Sequence, residues 1–197
     1  MAEALINGWI TKDVVNPEKI TIMNHSNSER LKLLQQQYGV IPLQSLDRLQ
    51  EATIIILAMK PKDAQEAMKK IKAYIHPNAI VLSIVAGIPI SSIEAGLGKR
   101  PIARAMPNTS ATIGLSATGI AFNDLITEEI RVYLLQLIEA IGIVTVVEED
   151  QLHAITALSG SGPAYIYYLL EAFEKVGITK ENLLTCEVIK KELIKSK

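Results

Sequence analysis

The 197-residue sequence predicts a doubly wound α/β domain over residues 1–149, followed by an all-helical region from 150 to 197. Two observations carry this. Apolar runs such as Thr53–Met59 (TIIILAM) and Ala79–Val85 (AIVLSIV) lack polar alternation and alternate with amphipathic helical patterns, so they read as strands buried on both faces of a parallel sheet. From Asp150 onward the strand signals stop, and Gln151–Ala157, Ala164–Val176 and Lys180–Lys195 all show helical spacing.

The elements follow in order. MAEALINGWI places Ala2, Leu5, Ile6 and Trp9 at helical spacing with neither cap nor strand before them. Lys19–Asn24 reads as a short strand, and Ser28–Tyr38 as a helix closed by Gly39. The strand at Thr53–Met59 ends at Lys60-Pro61, and an amphipathic helix over Asp63–Ile75 stops near Pro77. Further strands are expected at Ala79–Val85, Pro101–Met106, Gly119–Phe122 and Val144–Val147, with a long helix over Thr127–Ile141 before the last.

Composition narrows the partners. Twenty basic and twenty-one acidic side chains without long runs of either sign offer no broad field for nucleic acid or anionic lipid. No apolar stretch reaches the roughly 20 residues of a membrane helix, so neither a membrane nor nucleic acid is an expected partner. One cysteine, Cys186, makes no internal disulfide and no zinc cluster, which fits a reducing cytoplasm. His25, His76 and His153 are scattered, with no nucleophile and base paired beside them. No side chain is therefore assigned a catalytic or metal-binding role, and chemistry borne by a cofactor is the open route.

In open α/β sheets ligands bind beyond the carboxyl ends of the strands. Ser26 and Asn27, with Arg30 nearby, suit a ribose or its 2′-phosphate; the same residues also suit a plain helix cap. Ala58, Met59, Lys60 and Pro61 form a turn able to lay backbone and charge on a cofactor, or an ordinary Lys-Pro turn that holds no ligand. The small residues around Ile84, Val85 and Ala86 admit a flat ring or a packed helix. Asn108 and Thr109 supply hydrogen-bonding groups at a strand end, or form an Asn-Thr turn that binds nothing. Ser159, Gly160, Ser161, Gly162 and Pro163 interrupt a helical pattern, and a helix restarting at Pro163 directs free N–H groups toward an anion or makes a plain helix joint. The run Glu148, Glu149 and Asp150 reads as a solvated acidic corner.

Taken in order, MAEAL, AMKP, RAMPNTSATIG, VEED and ALSGSGPAY resemble pyrroline-5-carboxylate reductase, from Met1 to about Asn182. The resemblance implies a Rossmann domain and a helical domain that intertwines into homo-oligomers. It implies reduction of a cyclic imino acid, 1-pyrroline-5-carboxylate, to L-proline by NADPH or NADH. It implies cofactor contacts from Ser26, Asn27, Ser45, Ala58–Pro61, Ile84–Ala86 and Asn108, and substrate contacts from Glu149 and Ser159–Pro163.

The departures set further expectations. His25 stands where bacterial relatives commonly have Arg, which leaves room for NADH beside NADPH, and Ser45 stands where relatives often have Asn. The resemblance implies a strand and glycine loop ahead of MAEAL, and substrate and dimer helices beyond Asn182. The sheet is thus expected to lack its first strand and glycine loop, the helical domain to be incomplete, and activity to be impaired. The alternatives are a non-catalytic remnant that pairs with an intact paralogue, or a hydroxyacid-type dehydrogenase, for whose catalytic lysine only Lys175 is available.

Overall fold

A computed structural model describes residues 1–175. The helix expected over Lys180–Lys195 and Cys186 lie outside the described residues. The chain divides into two compact units, Met1–Gly160 and a second that begins at Ser161.

The first unit opens with α1 (Ala2–Thr11), then β1 (Thr21–Ile22), α2 (Ser28–Tyr38), β2 (Ile41–Pro42) and β3 (Ile54–Leu57). α3 (Pro61–Ile71), β4 (Ile80–Ser83), α4 (Ile90–Leu97), β5 (Ile102–Met106) and β6 (Ser116–Phe122) follow. The unit closes with α5 (Glu128–Glu139), β7 (Gly142–Val146) and α6 (Leu152–Ile155), which runs into a π-helical turn over Thr156–Gly160.

Local chemistry sets several boundaries. Asn27 caps α2 by accepting the Arg30 N–H, and Gly39 ends it at φ 71°. Pro61 occupies the first turn of α3, and the Thr127 hydroxyl caps α5. At the end of α4, the buried Arg100 guanidinium donates to Leu97 O at 2.7 Å and to His76 O at 3.1 Å. Burial lowers its pKa from the usual arginine value.

β1 and β2 form a parallel pair, and β3-β4-β5-β6-β7 form a five-stranded sheet. The latter is parallel except between β5 and β6. That antiparallel pairing departs from the all-parallel sheet expected. The connection from Pro107 to Leu115 holds only a 3-10 turn at Thr109–Ile113, too short for the crossover a parallel partner requires. Two elements, β2 and α4, were also not anticipated, although Ile90, Ile93 and Leu97 keep the helical period and are buried.

Apolar residues cover both faces of the sheet. Along β4, Ile80 and Leu82 join a core with Leu5 and Trp9 of α1 and Leu134 and Ile138 of α5. Val81 faces the opposite core, with Met68 and Ile71 of α3 and Ile93 of α4. Trp9 fixes α1 further by donating its indole N–H to Leu137 O at 2.7 Å. In the second unit α7 (Gly162–Lys175) is the described element.

Gly142 joins α5 to β7 at φ 149°, and a Cβ there would lie 2.0 Å from Ser116 O. That atom is ladder backbone and has little room to yield. Gly142→Ala is expected to cost at least about 2 kcal/mol. A fall in the urea midpoint at constant m-value would report it.

Candidate active site

The loops beyond β3, β4 and β5 leave the same edge of three adjacent parallel strands. Past β3, Ala58, Lys60 and Pro61 are exposed and Met59 is half-buried. Past β4, Ile84 extends the ladder by donating to Leu57 O at 2.9 Å, and Ala86 is exposed. The Val85 side chain is 2% exposed and fills the core under α3 and α4, so only its backbone is available to a ligand. Gly87 turns the loop at φ 73°, with no heavy atom within 4 Å of where a Cβ would stand. This leaves the backbone open to a planar group.

The loop after β1 is also accessible. Asn24 accepts the Asn27 N–H at 3.0 Å and donates to Asn27 O, which leaves Ser26 exposed at the start of α2. Arg30 pairs with Glu3 of α1, which also accepts the Tyr38 hydroxyl at 3.3 Å. Burial first, and the Glu3 charge second, raise the Tyr38 pKa above the usual tyrosine value. Ser45 is exposed, and its hydroxyl donates to Asp47 at 3.0 Å.

A polar network occupies the end of β5. Asn108 is 9% exposed, and its N–H donates to Ser116 Oγ at 3.1 Å while its Oδ1 accepts from Ser110 N–H at 3.0 Å. Its Nδ2 donates to Ser159 Oγ at 3.1 Å, and that hydroxyl donates to Ala117 O at 2.8 Å. Ser159 is thus oriented by a side chain just beyond β5 and by a carbonyl of β6.

One strand turn back, Arg104 is 3% exposed on the opposite side of β5 from Ala103 and Ala105. Its Nη1 meets Glu149 Oε1 at 2.6 Å, and the same oxygen accepts the Ile90 N–H, the first of α4, at 2.7 Å. Glu149 is therefore no solvated corner. It compensates a buried cation and supplies the helix start with a negative partner.

Between Glu149 and Ser159 the chain crosses the face of β6. Leu152 is buried against Met106 and Ala121. A Cβ on Gly119 would lie 2.3 Å from Ile155 Cδ1, so this glycine allows α6 its close approach. The SGSG segment is more helical than expected. Thr156–Gly160 keep a π-helical turn in which the Thr156 hydroxyl donates to Leu152 O at 2.7 Å. In the second unit, Ser161 O accepts the Ala164 N–H at 2.9 Å, and α7 begins at Gly162 with Pro163 in its first turn.

Sequence reasoning passed over Arg104 and Ser116. The available signal was a charged residue inside an apolar strand, IARAM, since arginine is seldom fully buried without a partner. Among the described residues no cluster of His, Cys, Asp or Glu could hold a metal ion.

A family model described as NADP oxidoreductase, coenzyme F420-dependent, matches residues 1–87, and one described as pyrroline-5-carboxylate reductase dimerisation matches 149–183. Pyrroline-5-carboxylate reductase 1 of Bacillus subtilis is 41% identical over 181 residues. This alignment covers 90% of this chain, which spans 60% of that relative's length. A solved pyrroline-5-carboxylate reductase from Coxiella burnetii superposes with a TM-score of 0.83 at 32% identity, covering 95% of this chain and 73% of that one. The Plasmodium falciparum pyrroline carboxylate reductase with NADP bound superposes at 0.82 with 25% identity, covering 99% and 75%.

Asn108→Ala strips Ser159 of its donor and Ser110 of its acceptor. A loss of about 2 kcal/mol in stability is expected, together with faster amide exchange at Ser159. Chemical denaturation and exchange measured by nuclear magnetic resonance check the two effects.

Proposed function

We propose, since this chain belongs to the pyrroline-5-carboxylate reductase family, that its strand-end loops hold a nicotinamide dinucleotide and that the reaction served is reduction of 1-pyrroline-5-carboxylate to L-proline. The carrying observation is the convergence of three loops, beyond β3, β4 and β5, on the edge where Asn108 orients Ser159. Their chemistry suits the cofactor. Lys60 offers positive charge and a cap without a side-chain bond of its own, and Ala86 and Gly87 offer open backbone. When bound, the dinucleotide supplies the hydride.

The chain's own residues then bind and orient. Ser26 and Asn27 are assigned to the adenosine ribose, with Ser45 near that end. Ala58–Pro61 line the middle, and Ile84–Ala86 and Asn108 lie toward the nicotinamide. Glu149 and Ser159–Pro163 are assigned to the imino acid, whose C=N carbon accepts hydride best when the ring nitrogen is protonated. Orientation and anchoring of the substrate carboxylate contribute more here than a strong acid would.

Arg30 is already engaged by Glu3, and position 25 is histidine. A 2′-phosphate therefore meets hydroxyl and amide groups without an uncommitted guanidinium, and NADPH is taken with little preference over NADH. A second copy of the chain is the partner proposed for residues 149–183, on the dimerisation model that matches them. Among the described residues no helix is long and apolar enough to cross a membrane. The cytoplasm remains the proposed setting.

The test titrates purified chain with NADPH and NADH by fluorescence, then assays pyrroline-5-carboxylate-dependent NADPH oxidation beside a chain extended at both ends to match the full-length relatives. Affinities for the two dinucleotides within about tenfold of each other are expected, with turnover greater in the extended chain. Binding of neither dinucleotide, or inactivity of the extended chain on this substrate, would overturn the reading. Glu3→Gln releases Arg30 and is expected to favour NADPH by a further factor of about five, read from the same titrations.

A further inference from the structure

We propose that Arg104 and Glu149 are positioning residues that set the nicotinamide-side loop, residues 84–89, against the arm that carries Ser159. This inference rests on the dinucleotide reading above.

The loop is held at two points. At its start Ile84 N–H donates to Leu57 O at 2.9 Å, a bond of the sheet itself. At its end Ile90 N–H donates to Glu149 Oε1 at 2.7 Å. Among the described residues, the hydrogen bond given by the loop's own N–H groups between these anchors is Val85 to Ser83 Oγ, at a long 3.3 Å. The buried Val85 side chain and the partly buried Ile88 hold the middle of the loop to the core, and the far anchor, a side chain from the other end of the fold, sets where its end meets α4.

Glu149 is in turn placed by Arg104. The guanidinium sits within β5 at 3% exposure and reaches the shared oxygen at 2.6 Å, while Pro89, the residue that precedes α4, offers no side-chain cap. Glu149 also begins the segment that continues through α6 to Ser159, closed by reciprocal bonds between Glu148 and Gln151. One strand residue thus fixes the entry to α4 and the entry to the Ser159 arm together.

Stability alone is a poor reason for this arrangement. A buried arginine costs desolvation that a well-packed apolar residue avoids, and the Nε atom of Arg104 is buried without a hydrogen-bond partner. What the ion pair adds is geometric definition, as a buried polar contact satisfied by one partner geometry selects one loop position.

The test compares the full chain with Arg104→Met and Glu149→Gln, using NADPH and adenosine 2′,5′-bisphosphate as ligands. The bisphosphate reports the adenosine end alone. Arg104→Met is expected to speed amide exchange at Ile90, shift the resonances of Ile84–Ala86 and weaken NADPH about tenfold, leaving the bisphosphate within about twofold. Glu149→Gln keeps an acceptor for Ile90 but not the charge, so its effects should run the same way and be smaller. Equal weakening of both ligands would assign the pair a structural role only, and an unmoved Ile90 amide in Arg104→Met would overturn the proposal. Should the unmodified chain bind neither ligand, the dinucleotide reading fails, while the exchange and resonance data still decide the positioning role.

Discussion

A guanidinium enclosed in a sheet face must find an anion, and the position of Arg104 within β5 fixes where that anion has to be. The partner, Glu149, comes from the far side of β7, so the chain must leave β7 toward the face that Arg104 occupies. It can do so because β6 returns antiparallel to β5 and brings β7 with it, in register from Ser116 against Gly142 to Ile120 against Val146. From Glu149 the chain then has the length of α6 in which to cross β6 and deliver Ser159 to Asn108. The contacts at the end of β5 are consequences of this route as much as of their own hydrogen bonds.

The strands were legible because burial on both faces leaves runs such as IIIL and IVLS without polar alternation, and the helices α2, α3 and α5 because their caps are written in Asn27, Pro61 and Thr127. The direction of β6 was not. Parallel and antiparallel partners of a buried strand demand the same residues, and the deciding quantity is the length of the connection that precedes them. α4 was missed for a related reason. Its first residue, Ile90, ends an apolar stretch that began at Ala79, and eight residues with a glycine give the helical period little room to show. β2, only Ile41–Pro42, is defined by its hydrogen bonds to β1 rather than by any pattern of its own.

For the candidate site, residue type pointed to loops, and geometry shows which side chains meet there. Asn108 and Ser159 stood out as small polar groups at a strand end and in a broken helix, but only the fold reveals that one orients the other. Val85 stood out beside Ile84 and Ala86 for its place in a loop, yet its side chain belongs to the core. Arg30 was noted as a cation near a ribose site, and its capture by Glu3 depends on how α1 lies against α2, which no local pattern encodes. Arg104 opens RAMPNTSATIG, and a single charge in a strand gains meaning only through the partner that makes its burial tolerable.

The same physical logic bears on α7. Tyr165, Ile166, Tyr167, Tyr168 and Leu169 are all exposed, with Tyr168 at 77%. Consecutive helical residues step by 100°, so five in a row place apolar groups around the whole circumference. A helix apolar on every side gains stability by being enclosed. The reductase dimerisation model matches this stretch of sequence. Tyrosine suits enclosure, because its ring buries a large area while its hydroxyl can remain at the wet rim.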